Sequence, residues 1–295
     1  MSGFAAWVSG HRARRVVFIA GLFPLPFTGL ISAALVVLSA ELKGTREAAI
    51  DCLAAMALLT AMLALSGGVE ALLLLLFAGS SWGVALGLGA IAGRYQSLTF
   101  AVQVAVMVVL AGLLLSMVLV EDVTAYWADI IAPVVDDINE QGLAEIDTAA
   151  LQAIAEIMPG VVAFSVLAST VASLLLGTWW FARLKNKDFA GMFRQIRMGY
   201  VIGVLAALAG IAALLGVQPV ADNLLWFFAA GFVLHGLSVL YWHAWRRRWP
   251  RAWWIAVYVL PLLSSALLTM ELALLAVIGF VDNWYNLRPE RQDMV

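Results

Sequence analysis

The chain has 295 residues, of which 64% are hydrophobic and 12% are charged, with a formal net charge of −2. A soluble domain carries roughly 45–50% apolar and about 25% charged residues. Half the usual charge cannot cover a globule in water, which excludes a soluble enzyme, a disordered chain and a nucleic-acid binder. The remaining class is an all-α, polytopic transmembrane helical bundle, because open backbone cannot sit in lipid.

At the N-terminus, Arg12, Arg14 and Arg15 precede an apolar stretch, residues 16–40, interrupted by Pro24-Leu25-Pro26. The stretch is too long for a cleavable signal and is followed by further apolar runs, so it reads as an uncleaved first membrane segment. Six runs are long enough to cross without a break: residues 48–65, 70–92, 98–120, 161–181, 200–217 and 224–242. A last stretch, residues 252–281, holds Pro261 and then Ser264-Ser265 near its middle. Each proline-containing stretch is either one broken helix or two short helices forming a hairpin. Ten crossings satisfy the charge pattern best, with nine or eight as the alternatives.

Lys- and Arg-rich loops stay in the cytoplasm. Residues 121–160 contain nine acids and no Lys or Arg, which predicts an extracytoplasmic segment. Arg183, Lys185, Lys187, Arg194 and Arg197 mark one cytoplasmic loop, and Arg246, Arg247, Arg248 and Arg251 mark another. Working outward from these, Arg94 is inside, the Gly67-Gly68 turn is outside, and Lys43 and Arg46 are inside. Both termini are then cytoplasmic, with Arg288 and Arg291 inside beside Glu290 and Asp293. All 17 basic residues fall on the inner side of a bacterial plasma membrane. Trp179, Trp180, Trp242, Trp245, Trp249, Trp253 and Trp254 gather beside the basic loops, as interfacial anchors do.

The acidic segment is a candidate lid. Val123, Trp127, Ile130, Ile131 and Val134 recur at helical spacing, and Asp147 can cap a second short helix bearing Leu151, Ile154 and Met158. Its acids lack the spacing of a calcium loop, so no metal is expected. The single cysteine, Cys52, rules out an internal disulfide and any multi-cysteine metal site. No nucleotide-binding, zinc-hydrolase or nucleophile-elbow pattern occurs, so neither an enzyme nor a cofactor is expected.

Polar side chains inside membrane spans are functional candidates. Gln103, His235 and Glu271 stand out, with Glu70 and Asn223 near the outer ends; the first three and Trp127 in the lid form the candidate ligand-binding set. A His235–Glu271 pair is one way to move a proton or hold a ligand; a satisfied buried histidine and a water-facing glutamate are the plainer alternative. Gly83, Gly87, Gly89 and Gly93 stripe one helix, and Ser165, Ser169 and Ser173 another. Such ridges serve close internal packing or, alternatively, homo-oligomerisation. In the loop 183–199, Phe189, Met192, Phe193 and Ile196 share one helical face. This predicts a basic amphipathic helix that lies on the inner surface or docks a cytoplasmic protein. Phe193, Arg194, Arg197, Arg246, Arg247 and Arg248 are the corresponding candidate surface residues.

Three features, Pro24-Leu25-Pro26, MFRQIRMG at 192–199 and GFVDNWYNLR at 279–288, resemble the YybS-like family of bacterial membrane proteins, which has no assigned function. The resemblance covers most of the chain. That family is distantly similar to substrate-binding subunits of energy-coupling-factor vitamin transporters, over about residues 16–181. The similarity implies a ligand pocket near the outer face, capped by outer loops. Those subunits dock to a partner through an A-x-x-x-A pair in the first helix, and residues 16–23 contain no such pair.

The expected organisation is a single membrane domain, 1–295. It comprises a transporter-subunit-like core (16–182) containing the lid (121–160), an amphipathic loop (183–199) and additional helices (200–282). The expected function is binding or translocation of a small solute or lipid. The competing expectation is a non-transporting scaffold acting through its basic cytoplasmic surfaces. Expected partners are the bilayer, a hydrophobic or small-molecule ligand and a cytoplasmic protein.

Overall fold

The structure is a computed structural model that describes residues 2–64, 69–143, 145–250 and 252–288. The Gly67-Gly68 turn, Arg251, Glu290, Arg291 and Asp293 lie outside the described residues. Among the described residues the chain is α-helical, with no strand. Five helices are long and apolar enough to cross a membrane: Glu70–Tyr95, Leu98–Leu119, Thr148–Leu184, Val220–Arg246 and Ser265–Tyr285. Gly199–Leu214 and Ala252–Leu263 are apolar but shorter. The chain divides into two compact units, 1–105 with 168–196, and 106–167 with 197–295. The acidic segment, residues 121–160, falls in the second unit.

In the first unit, α1 (Ser2–Gly10) leads into α2 (Arg12–Leu22), and α3 (Gly29–Lys43) follows the double-proline turn. Proline has no N–H to donate and restricts the residue before it, so the helix stops there. At 1.5 Å per residue, the 11 residues of α2 and 15 of α3 are each shorter than a hydrocarbon core of ~30 Å. Helix α3 is the centre of the unit, with Ser32 to Ala40 all buried. A helix buried on every side needs small neighbours. A Cβ on Gly89 of α5 (Val69–Tyr95) would sit 2.9 Å from Ala40 Cβ and from Val37 backbone. One on Gly177 of α8 (Thr148–Leu184) would sit 2.6 Å from the Ala34 carbonyl. The glycine stripe on α5 is thus divided. Gly89 and Gly93 face α3, while a Cβ on Gly83 or Gly87 would meet nothing within 4 Å.

Two polar links tie this unit together. Trp82 Nε1 donates to Ser32 Oγ at 2.9 Å, and Ser32 Oγ donates to the Ile19 carbonyl at 2.7 Å, joining α5, α3 and α2. Thr178 Oγ1 donates to Glu41 Oε1 at 2.6 Å, joining α8 to the end of α3. Helix α4 (Thr45–Leu63) completes the unit with Asp51 buried near its start. Trp180, expected at the interface, is buried and lies 6.0 Å from the Phe4 ring. The ring is covered because α1, which the hydropathy pattern did not mark, supplies an aromatic neighbour.

In the second unit, α7 (Val123–Glu140) forms the expected amphipathic helix, capped by Asp122, which accepts from Ala125 N at 2.8 Å. Its apolar face is rotated from the expected one, with Val135 buried and Ile130 and Val134 exposed. Asn139 bonds both backbone groups of Ile146, at 2.8 and 3.0 Å, and so closes the loop into α8. Asp147 caps α8 as expected, accepting from Ala150 N at 2.8 Å.

The second lid helix and the following span are not separate. They form one helix of 37 residues with Pro159 inside it. A helix-internal proline removes one ladder donor and crowds the preceding turn. Asn223 of α11 (Val220–Arg246) lies beside this point. It accepts from Gly160 N at 2.6 Å and donates to the Glu156 carbonyl at 2.8 Å, which are the two partners of one i, i−4 step. The approach requires Gly160, whose Cβ would lie 2.6 Å from the Asn223 carbonyl oxygen.

Candidate functional site

The C-terminal stretch breaks where Pro261 and Ser264 predict. Helix α12 (Ala252–Val259) passes through a short 3₁₀ turn (Leu260–Leu263) into α13 (Ser265–Tyr285). Ser264 caps α13 by accepting from Ala266 N at 3.2 Å. Helices α11 and α13 touch at their glycines. A Cβ on Gly236 would collide with the Leu275 carbonyl, and one on Gly279 with the Phe232 carbonyl. Small residues at this contact let the two backbones approach closely.

That approach places His235, fully buried, against Asp282, 2% exposed. Asp282 Oδ2 lies 2.8 Å from His235 Nε2 and accepts from Arg288 Nε at 3.1 Å and Nη2 at 2.7 Å. Arg288 Nη2 also lies 2.8 Å from His235 Nε2, and Arg288 Nη1 donates to Ser238 Oγ at 3.0 Å. A protonated Nε2 donates to Asp282, whereas an unprotonated one accepts from Arg288. Each tautomer therefore satisfies one of the two contacts. Burial lowers the pKa of Arg288 from its ordinary value by stripping water from the guanidinium, and the Asp282 carboxylate opposes that shift. His235 Nδ1 and Asp282 Oδ1 are buried without a hydrogen-bond partner among the described residues.

The chain reaches this geometry through a turn. Asn286 adopts the left-handed conformation (φ 48°) and donates its N–H to the Asp282 carbonyl at 3.0 Å, folding Arg288 back over the helix end. Asn283 accepts from Gly199 N at 3.0 Å and donates to the Gly199 carbonyl at 3.1 Å. Arg197 Nη2 donates to Asn286 Oδ1 at 2.7 Å, and the Tyr200 and Trp284 rings meet edge to face at 5.7 Å. Residues from MFRQIRMG and GFVDNWYNLR, far apart in sequence, therefore hold one another at the start of α10 (Gly199–Leu214).

His235 thus finds its carboxylate in Asp282, and Glu271 is elsewhere on α13, half-buried. Asp282 and Arg288 escaped the sequence reading as site residues, although both stand in the motif that carried the family resemblance. Trp127 is half-buried on α7, its ring 5.6 Å from that of Tyr126. Gln103 lies on α6 (Leu98–Leu119) in the first unit, half-buried.

The candidate surface residues divide. Phe193 of the short helix α9 (Phe189–Arg194) is 9% exposed, and Ile196 just beyond it is fully buried. Phe189 and Met192 of this short helix are half-buried. Arg194 lies 3.6 Å from Asp188, and Arg197 is held by Asn286. Arg246, Arg247 and Arg248 are exposed, with Arg246 stacked 5.0 Å from the Trp242 ring centroid.

The first unit contains a cavity of about 210 Å³ beside the double-proline turn. Four hydroxyl residues, Ser81, Ser169, Thr170 and Ser173, line it together with Phe23 and Ala85. Ser173 Oγ is engaged at its edge, donating to the Leu30 carbonyl at 3.1 Å and the Ser169 carbonyl at 2.9 Å. No residue of the acidic segment lines it.

The chain belongs to the family described as predicted membrane protein (DUF2232), whose match runs over residues 15–283. No curated protein and no solved structure matches it.

Proposed function

We propose that this member of the DUF2232 family is a non-catalytic, multi-pass protein of the bacterial inner membrane that binds a small polar solute within its first unit. The hydroxyl-lined cavity carries the reading. Polar groups facing a space between apolar helices favour a ligand with hydrogen-bonding groups over a lipid tail. At about 210 Å³ the cavity is smaller than the roughly 300–1,000 Å³ common for drug-sized ligands, which favours a small solute. The resemblance to YybS-like proteins, and through them to transporter substrate-binding subunits, agrees with such a role. In the orientation set by the basic residues, both termini are cytoplasmic and the double-proline turn faces outward.

The test is mass spectrometry of small molecules released from purified protein. Wild type and a Ser165→Phe control, altered at an exposed position outside the cavity, are expected to release the same polar solute. A Ser81→Phe variant, which fills the cavity, is expected to release none. Identical extracts from all three overturn the reading.

Exposure of Arg246, Arg247 and Arg248 together favours a second reading, in which this end of α11 docks an acidic cytoplasmic protein. Charge reversal of the three arginines is expected to abolish a specific cross-linked product in cells.

A further inference from the structure

The first unit holds a second concave site, chemically unlike the cavity. The ends of α2, α3 and α4 meet around a cleft of about 680 Å³, lined by Arg12, Arg15, Lys43, Arg46 and Glu47. Two of these three ends are helix N-termini, and neither His11 before α2 nor Gly44 before α4 supplies a side-chain cap. Uncapped N-terminal amides and the helix dipole both favour an anion.

Beneath the cleft, the fully buried Asp51 holds two of the arginines. Arg15 Nε donates to Asp51 Oδ2 at 2.6 Å, and Arg15 Nη1 reaches the Ser9 carbonyl at 3.1 Å. Arg12 Nε lies 3.0 Å from Asp51 Oδ1, at ion-pair distance but outside hydrogen-bond alignment, and its side chain is 53% exposed. Asp51 thus grips both guanidinium groups through Nε and leaves the terminal nitrogens of Arg12 for another acceptor. Lys43 and Arg46 are exposed, with no ion-pair partner among the described residues. Four cations against Glu47 and Asp51 leave an excess of two positive charges around one concave space.

We infer that this cleft binds a phosphate group, with Asp51 as the positioning residue that presents the arginines. Planar guanidinium groups match phosphate oxygens in pairs, and a lysine adds a point charge. The phosphate is borne either by an anionic phospholipid headgroup or by a soluble phosphate compound, since both offer the same oxygens. The assignment stands apart from the hydroxyl-lined cavity and does not depend on it.

Two probes separate the sources, each applied to purified full-length protein at constant ionic strength. Inorganic phosphate is titrated against thermal unfolding in detergent, and phosphatidylglycerol is compared with phosphatidylcholine by native mass spectrometry. Saturable binding of phosphate assigns a soluble ligand. Selective retention of phosphatidylglycerol alone assigns a headgroup. Lys43→Gln/Arg46→Gln, both exposed and outside the core, is expected to weaken whichever binding is seen by at least about tenfold. Lys43→Gln alone is expected to weaken it less, in the same direction. The control Arg94→Gln/Lys185→Gln, both exposed and outside the cleft, is expected to leave it unchanged. Binding of neither probe, or equal loss in the control pair, overturns the inference.

Discussion

The Asp282 carboxylate meets His235 Nε2 at 2.8 Å across the contact between α13 and α11, with both side chains removed from solvent. A buried carboxylate is tolerated where its charge is matched, and here Arg288 matches it. Removing one partner leaves the other charged and buried. Asp282→Asn is therefore expected to destabilise the protein by about 3–5 kcal/mol, as breaking buried ion pairs does. The double variant Asp282→Asn/Arg288→Gln should lose less than the sum of the single losses. Thermal unfolding in detergent across the four-protein cycle measures this coupling.

Asn223 bonds the two partners of one helical step next to Pro159. Asn223→Ala removes a donor and an acceptor from a buried site and is expected to cost about 1–3 kcal/mol. Asn223→Asp keeps the acceptor for Gly160 N and loses the donor to Glu156. It should fall by a comparable amount, because the lost donor leaves a carboxylate facing a carbonyl. Chemical denaturation of the three proteins in matched detergent ranks them.

Glycines that look alike in sequence should behave oppositely. Gly279→Ala places a methyl against the Phe232 carbonyl and should push α11 and α13 apart, with loss of folded yield. Gly83→Ala and Gly87→Ala meet nothing within 4 Å and should be neutral or slightly stabilising, since alanine is the better helix former. Monodisperse yield by size-exclusion chromatography distinguishes the two classes.

Glu41 follows the last residue of the expected first apolar stretch, beside Thr178. Burial raises its pKa from 4.5 to about 7, and the hydrogen bond from Thr178 opposes the shift. The folded state therefore binds this proton more tightly than the unfolded state does. Its contribution to stability is greatest below about pH 4.5, falls as pH rises toward 7, and stays lost above. Glu41→Gln can still accept from Thr178 and carries no charge. It should flatten the stability profile between pH 5 and pH 8 and exceed wild type at the upper end, as melting temperatures at each pH would show.

Much of the architecture was legible from local signals. Helices end at Pro24 to Pro26 and at Pro261 with Ser264, because a missing N–H and a restricted predecessor act within one turn. The amphipathic spacing of α7 was readable for the same reason, although its buried face was resolved only by packing. Continuity of α8 through Pro159 was not readable, since it is accompanied by a side chain 64 residues further along, at Asn223. Burial of Phe193 and Trp180 likewise reflects their neighbours in space more than their own composition.

Consecutive residues were thus enough to establish a multi-span helical membrane protein, to place the breaks at Pro24 to Pro26 and at Pro261 with Ser264, and to mark His235 as a polar group inside a span. Hydropathy and these two breaks are properties of consecutive residues, so no knowledge of contacts was required. Only the tertiary structure decided that the partner is Asp282 and not Glu271, and that Arg288 closes the pair. The choice depends on Gly236 and Gly279 bringing two backbones close enough to set the depth at which α11 faces α13. It likewise decided that Asp51 gathers Arg12 and Arg15 beneath Lys43 and Arg46. Those charges are scattered along the sequence from Arg12 to Arg46, and the meeting of three helix ends gathers them around a cleft.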